Sequence, residues 1–367
     1  MKFFPLLFLL ASVTSFAQPE FRVKGDIPEE IVLAIDSFIQ REMDDQQIPG
    51  LAIAVVRDGD PVLVKCYGQA NVEHQVPVTP ETIFQSGSIG KAFAVMAVLM
   101  LAEEGKIDLE APLKNYISDA PDAWEGIRIR HLLEHTSGMM DHAEDLDLQI
   151  DHTEQDFFEA SKRMSLAFAP GEQWQYSNAG FSILGMLIGK VTGRPYWEFY
   201  KERIFDPLQM TTARIISESD IVPNRAAGYR LVDGEVKNQE WVAPSHNLDA
   251  AGSLYLSLLD MVKWEAALNK GRLLSKDSYA KMWTPVITRD GIDQPWGMSW
   301  YILNENGHTL IGHSGGWQGY VSNIARYPEK KLTVILFANL RGVDPFRLSH
   351  VVHGIISPEL GDAGVGR

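Results

Sequence analysis

The strongest constraint on the fold is where two hydrophobic periodicities fall along this 367-residue chain. Strand-like runs stand at both ends and helix-like runs fill the middle. Near the start, residues 51–56 are a buried apolar run, Asp58-Gly59-Asp60 a turn, and 62–67 the return strand. Near the end, 297–303, 308–313, 320–327 and 332–338 read as an antiparallel series, with Tyr327-Pro328-Glu329-Lys330 as the turn between the last two. Helical spacing covers 28–43, where Ile31, Ile35, Phe38 and Ile39 share a face, and a run from Ser88 to about Gly105. Shorter helices are expected over 127–134, 178–191, 196–204 and 258–267, and a last one opens at Asp344-Pro345. This pattern predicts an α/β fold: one antiparallel sheet built from both ends of the chain, flanked by helices, with an inserted, mostly helical lobe. The sheet lobe is expected over 26–85 and 285–360, the helical lobe over 86–284, and the site in the cleft between them.

Composition narrows the class. The chain is 45% hydrophobic and 22% charged, enough for a large core. Its net charge of −15 argues against nucleic acid or an anionic membrane as partner. Residues 1–17 read as a secretory signal: Lys2, an apolar core over 3–13, and Ser15-Phe16-Ala17 as a small-x-small cleavage site. The expectation is an exported, periplasmic or secreted protein with one catalytic domain over 18–367. No membrane segment is expected in the mature chain, since the apolar run 92–102 is about half a span. The one cysteine, Cys66, cannot close an internal disulfide and is expected to be a small core residue.

Three segments carry chemistry. In Ser88-Ile89-Gly90-Lys91 the two functional side chains are three apart, on one helix face. A serine at the first turn of a buried helix lies near the positive end of the helix dipole, and a buried lysine one turn on can take the hydroxyl proton. Alone, such a pair is far more often a helix cap and a snorkelling lysine. Tyr176-Ser177-Asn178 precedes an apolar helix: a tyrosine near an amine can relay protons, and an asparagine both donates and accepts. His313-Ser314-Gly315-Gly316 lies on a predicted strand, where small residues let a substrate backbone approach, and the amide of Gly316 could join that of Ser88 to hold an oxyanion.

Two other motifs point elsewhere. His131-Leu132-Leu133-Glu134-His135 matches the H-x-x-E-H pattern of inverted zinc peptidases, with both histidines on one helix face, but Thr136-Ser137-Gly138 ends the helix at once. Gly312-His313-Ser314-Gly315-Gly316 matches the G-x-S-x-G nucleophile elbow, yet too little chain follows for an acid and a histidine in βα units.

In this order and at these separations, Ser-x-x-Lys, Tyr-Ser-Asn and His-Ser-Gly resemble the serine β-lactamase-related family. It includes class C β-lactamases, D-alanyl-D-alanine carboxypeptidases, D-aminopeptidases and related esterases. The resemblance runs from about residue 28 to 356. It implies an acyl-enzyme hydrolase that needs no cofactor or metal. Ser88 would be the nucleophile, Lys91 its base partner and Tyr176 the second base and later acid. Asn178 would orient Lys91 and the substrate, with the amides of Ser88 and Gly316 as oxyanion hole and His313, Ser314 and Gly315 along the substrate. Esters, D-residue peptides and β-lactams are the implied small-molecule partners. Where lactamases carry Lys-Thr-Gly this chain has His313-Ser314-Gly315, which removes a fixed cation and lowers the expectation of β-lactam hydrolysis. The rival readings are a D,D-carboxypeptidase or lactamase proper, the zinc peptidase, and a non-catalytic penicillin-binding sensor.

Overall fold

A computed structural model describes residues 27–141, 146–215, 219–247, 249–252 and 254–361. The expected signal segment, 1–17, lies outside them. In chain order, helix α1 (Glu29–Gln46) is followed by strands β1 (Gly50–Arg57), β2 (Asp60–Asn71), β3 (Val76–Pro77) and β4 (Ile83–Gln85). A 3₁₀ turn, Gly87–Ile89, then feeds α2 (Gly90–Glu103). The middle holds α3 (Ile129–Leu133), α4 (Glu154–Arg163), α5 (Asn178–Thr192) and α6 (Tyr196–Tyr200). Strands β5 (Arg214–Ile215), β6 (Tyr229–Val232), β7 (Glu235–Asn238) and β8 (Leu254–Ser257) come next, then α7 (Leu258–Asn269) and α8 (Lys276–Met282). The chain closes with β9 (Tyr301–Glu305), β10 (His308–Trp317), β11 (Tyr320–Tyr327), β12 (Leu332–Ala338) and α9 (Pro345–Ile356).

The expected sheet is present. Seven strands run in the order β3-β2-β1-β12-β11-β10-β9. The two ends of the chain meet at its centre, where β1 pairs antiparallel with β12 from Leu51↔Ala338 to Arg57↔Leu332. The alternation of β1 explains its continuous apolar run, because both faces are covered. Leu51, Ile53 and Val55 join an outer core with Ile35 and Ile39 of α1 and Leu348 and Val352 of α9. Ala52, Ala54 and Val56 join the inner core with Phe93 of α2 and Trp264 of α7, whose rings stack at 4.1 Å. A buried ion pair, Arg326 Nε to Glu265 at 2.7 Å, ties α7 to β11. Cys66 is half-buried against the inner core.

Three local expectations change. The mostly helical middle of the chain also carries short strands that the sequence reading lacks, in a three-stranded sheet, β4-β8-β5, and the hairpin β6-β7. Strands of two to four residues are too short for alternation to show in sequence. The strand expected from 297 starts only at Tyr301, because Ser299 takes φ +57° and the amide of Gly297 bonds Trp300 O across a turn. Conversely, β10 runs on through His313-Ser314-Gly315-Gly316 to Trp317, since pairing with β11 overrides the weak strand propensity of glycine.

Candidate active site

Twelve of the fourteen residues of α2 are buried, Lys91 among them. An apolar helix at the centre of the inner core fixes where the lysine points. Lys91 Nζ lies 3.2 Å from Ser88 Oγ, 2.7 Å from Asn178 Oδ1 and 2.5 Å from the carbonyl oxygen of Ala251. An ammonium can donate to all three at once. An amine donates to the two carbonyl-type oxygens and turns its lone pair toward the serine hydroxyl, the geometry needed to accept that proton. The turn carrying Ser88 is pressed on the sheet. Gly87 has φ +53°, and a Cβ there would come within 2.4 Å of Gly316 N. Gly315 has no room for a Cβ either, which would stand 2.0 Å from Ser86 O. Ser322 Oγ bonds that same carbonyl at 2.6 Å.

Asn178 is oriented by a residue that the motifs did not reveal. Asp141 accepts from Asn178 N, Asn178 Nδ2 and Ala179 N, at 2.6, 2.7 and 3.0 Å. The Nδ2 contact sets the amide so that Oδ1 faces Lys91. The two backbone contacts satisfy free N–H groups at the start of α5, where a carboxylate is also favoured by the helix dipole. Nothing in the spacing of Asp141 marks it, since it reaches Asn178 across 37 residues.

Tyr176 lines the same cavity, and its buried hydroxyl has no partner among the described residues. Lys91 Nζ lies 4.9 Å from the centre of its ring. Beneath it stacks His135, at 4.4 Å between ring centres. His135 Nδ1 accepts from Ser177 N. Burial first, then the charge of Lys91 and the unfavourable coupling to a second imidazole, His313, holds the His135 imidazole neutral, its pKa well below the usual range. The zinc motif does not form as expected: α3 ends at Leu133 and His135 has φ +58°, so His131 and His135 do not share a helix face. His131 Nδ1 instead accepts from Arg128 N at the start of α3.

His313 is fully enclosed, 6.2 Å from the ring of Tyr176 and 5.8 Å from that of Trp296. Its Nδ1 lies 2.5 Å from Ser314 O. A carbonyl only accepts, so Nδ1 carries the proton and Nε2, which has no partner, is a bare acceptor. Burial, helped by the charge of Lys91 and opposed by the Ser314 bond, pushes the pKa of His313 down to about 3. Ser314 departs from the expected role. Residues alternate along β10, and its hydroxyl donates to Asn323 Oδ1 at 2.8 Å, which Tyr301 of the outer core also approaches. Ser314 therefore offers the site only backbone. It also sits mid-strand, paired with Asn323, which removes the nucleophile elbow.

Ser88, Tyr176, Asn178, Asp141 and Gly316 line one cavity of about 340 Å³ with Leu148, Phe157, Trp317 and Asp249. Asp249 accepts from Ser182 Oγ at 2.7 Å and Ala251 N at 2.9 Å. Among the described lining residues there are two carboxylates and no arginine or lysine.

Residues 35–352 match the sequence model of the family described as Beta-lactamase. The chain belongs to the Beta-lactamase family. It is 33% identical over 289 residues to the putative penicillin-binding protein PbpX of Bacillus subtilis, covering 78% of this chain and 70% of that protein. It is 27% identical to the D-aminopeptidase of Gluconobacter oxydans over 79% of this chain but only 56% of that longer protein. Among solved structures, the octameric penicillin-binding protein homologue from Pyrococcus abyssi superposes with TM-score 0.79 at 30% identity, covering 88% of this chain and 77% of that one. The D-amino acid amidase of Ochrobactrum anthropi, complexed with D-phenylalanine, superposes with TM-score 0.74 at 26% identity, covering 84% and 92%. This Beta-lactamase family member is a serine hydrolase.

Proposed function

We propose that the protein hydrolyses amides and short esters through an acyl-enzyme on Ser88, with D-residue amides and small D-peptides as its substrate class. The observation that carries the reading is Lys91, buried and held on Asn178 and Ala251 against Ser88 Oγ. Ser88 Oγ forms a bond to the substrate carbonyl carbon while its proton passes to Lys91 Nζ. The carbonyl electron pair moves to oxygen, which the amides of Ser88 and Gly316 hold. Collapse breaks the bond to the amine or alcohol, and the proton leaves with that group through Tyr176, whose hydroxyl stands free in the cavity wall. Water repeats the sequence to release the acid.

The substrate class rests on charge and tautomer. At the strand position where family lactamases carry lysine, this chain has the enclosed, neutral His313 and no fixed charge. With Asp141 and Asp249 in the cavity, a carboxylate beside the scissile bond is disfavoured, while the free amine of an amino-acid amide is welcome. The D-aminopeptidase and D-amino acid amidase relatives support the D configuration. On the same grounds β-lactams, which carry a carboxylate, should at most acylate slowly. The signal segment read in the sequence adds that the enzyme acts after export.

Intact-mass analysis tests this directly. Wild type mixed with D-phenylalanine amide, a short activated ester and a penicillin should gain an acyl mass with the ester, and Ser88→Ala should gain none. An adduct that persists in Ser88→Ala, or that maps to Ser314, would sink the mechanism.

A further inference from the structure

A second cavity, of about 510 Å³, opens on the other side of the segment that carries His135 and shares no lining residue with the Ser88 cavity. Three guanidiniums line it, Arg128 and Arg130 from the start of α3 and Arg289 from the loop after α8. In a chain of net charge −15 such a gathering is unusual. Its pairing is incomplete. Arg130 Nε meets the Glu110 carboxylate at 3.0 Å, Arg128 reaches that same carboxylate at 3.7 Å, and Arg130 Nη1 meets Glu134 at 3.4 Å. Arg289 bonds only main chain in this network: Nη2 donates to Pro170 O and its backbone N to Gly171 O, both at 2.9 Å.

Two features shape an acceptor-seeking hollow. Thr136 lines the cavity, is 1% exposed, and its hydroxyl has no partner. Gly171 has φ +81°, and a Cβ there would lie 3.3 Å from His131 Nε2 and 3.9 Å from Arg289 Nη2, so glycine keeps the space between them open. The convergence of charge shows on His131, whose pKa falls to about 4 through burial and then through Arg130, Arg128 and Arg289. The opposing carboxylate of Glu134 is itself pushed up to about 7 by burial, so about half of its negative charge remains at neutral pH and less below it.

We propose that this cavity binds a tetrahedral oxyanion, phosphate or sulfate, free or as the terminal group of a small organic ester. Arg289 and Arg128 would bracket it, with the Thr136 hydroxyl donating from below. A guanidinium set meeting from separate elements suits a dianion better than a planar carboxylate.

Thermal unfolding of the full chain in sulfate, at constant ionic strength set with chloride, reads this out. Wild type should show a saturable rise in Tm. Arg289→Gln and Thr136→Val should each raise the apparent dissociation constant for sulfate about tenfold, the scale of one lost charge-assisted hydrogen bond. Lys237→Gln, an exposed cation on β7, should leave it unchanged. Both cavity variants should keep ester turnover, which shows that they are folded. Tighter binding of phenyl phosphate than of inorganic phosphate assigns the site to an ester, and equal binding assigns it to the free ion. No saturable shift in wild type, or an unchanged sulfate midpoint in both cavity variants, overturns the proposal. So does competitive inhibition of ester turnover by sulfate over the same range, which would put the anion in the Ser88 cleft.

Discussion

His313 is buried and neutral at the strand position where family lactamases carry a fixed ammonium, so in the proposed reading no cation there favours a substrate carboxylate. His313→Lys should reverse that preference. The ratio of kcat/KM for carboxylate-bearing over neutral esters should rise about tenfold, the scale of one charge-assisted contact in a partly buried cleft, and the gain should fade with salt. An unmoved ratio in a folded variant would show that position 313 does not read the carboxylate. Cys66 is a contrasting case. Burial first, then the nearby charge of Glu81, pushes its thiol up to about 12, so it is an inert packing residue.

The start of α5 does two jobs with one carboxylate. Asp141 satisfies the N–H groups of Asn178 and Ala179 and also orients the Asn178 amide toward Lys91. Asp141→Ala should therefore cost about 1–2 kcal/mol of stability, as for a lost cap, and lower kcat more than it changes KM, because Lys91 loses its fixed partner while the binding walls stay. Asp141→Asn keeps an acceptor and should restore most of the stability, but its amide group can present a donor to Asn178 Nδ2 and should restore kcat only in part. Denaturant titration with steady-state kinetics checks both. Equal loss of kcat in Ala and Asn with no stability change would rule out the capping role. The strand β10 is equally exacting, since Gly315 lies directly under Ser86 and any side chain there would lift the turn that holds Ser88.

Across the whole molecule, several histidines are enclosed in neutral form. His353 on α9 is held down to about 3 by burial, His313 likewise, and His135 lies well below its usual range. The unfolded chain has ordinary imidazoles near pH 6.5, so below that pH it binds more protons than the folded protein. The stability these imidazoles contribute is then complete above about pH 6.5 and is lost as the solution is acidified, against the opposite contribution of the raised Glu134 carboxyl. The loss is about 2 kcal/mol per enclosed imidazole by pH 5. Urea unfolding between pH 7.5 and pH 5 should show this slope, and His353→Leu, far from the catalytic cavity, should make it shallower. A stability that stays flat over that range would contradict the assignment of neutral, enclosed imidazoles.

Much of this was legible in the chain alone. The strand runs read at 320–327 and 332–338 coincide with β11 and β12 to the residue, because each is buried along its whole length and bounded by turns. Helical spacing of three brought Ser88 and Lys91 together, and the fold class followed from strand patterns at both ends. Tertiary structure alone decided the rest. Asp141 and the carbonyl of Ala251 hold Asn178 and Lys91 from distant segments, and a backbone oxygen has no signature in side-chain sequence. Whether His313 or Ser314 faces Ser88 is a question of strand parity, settled only once β10 is paired with β11 and the two sides of the sheet are covered by different helices. Local periodicity tells which residues share a face; only packing tells what that face meets.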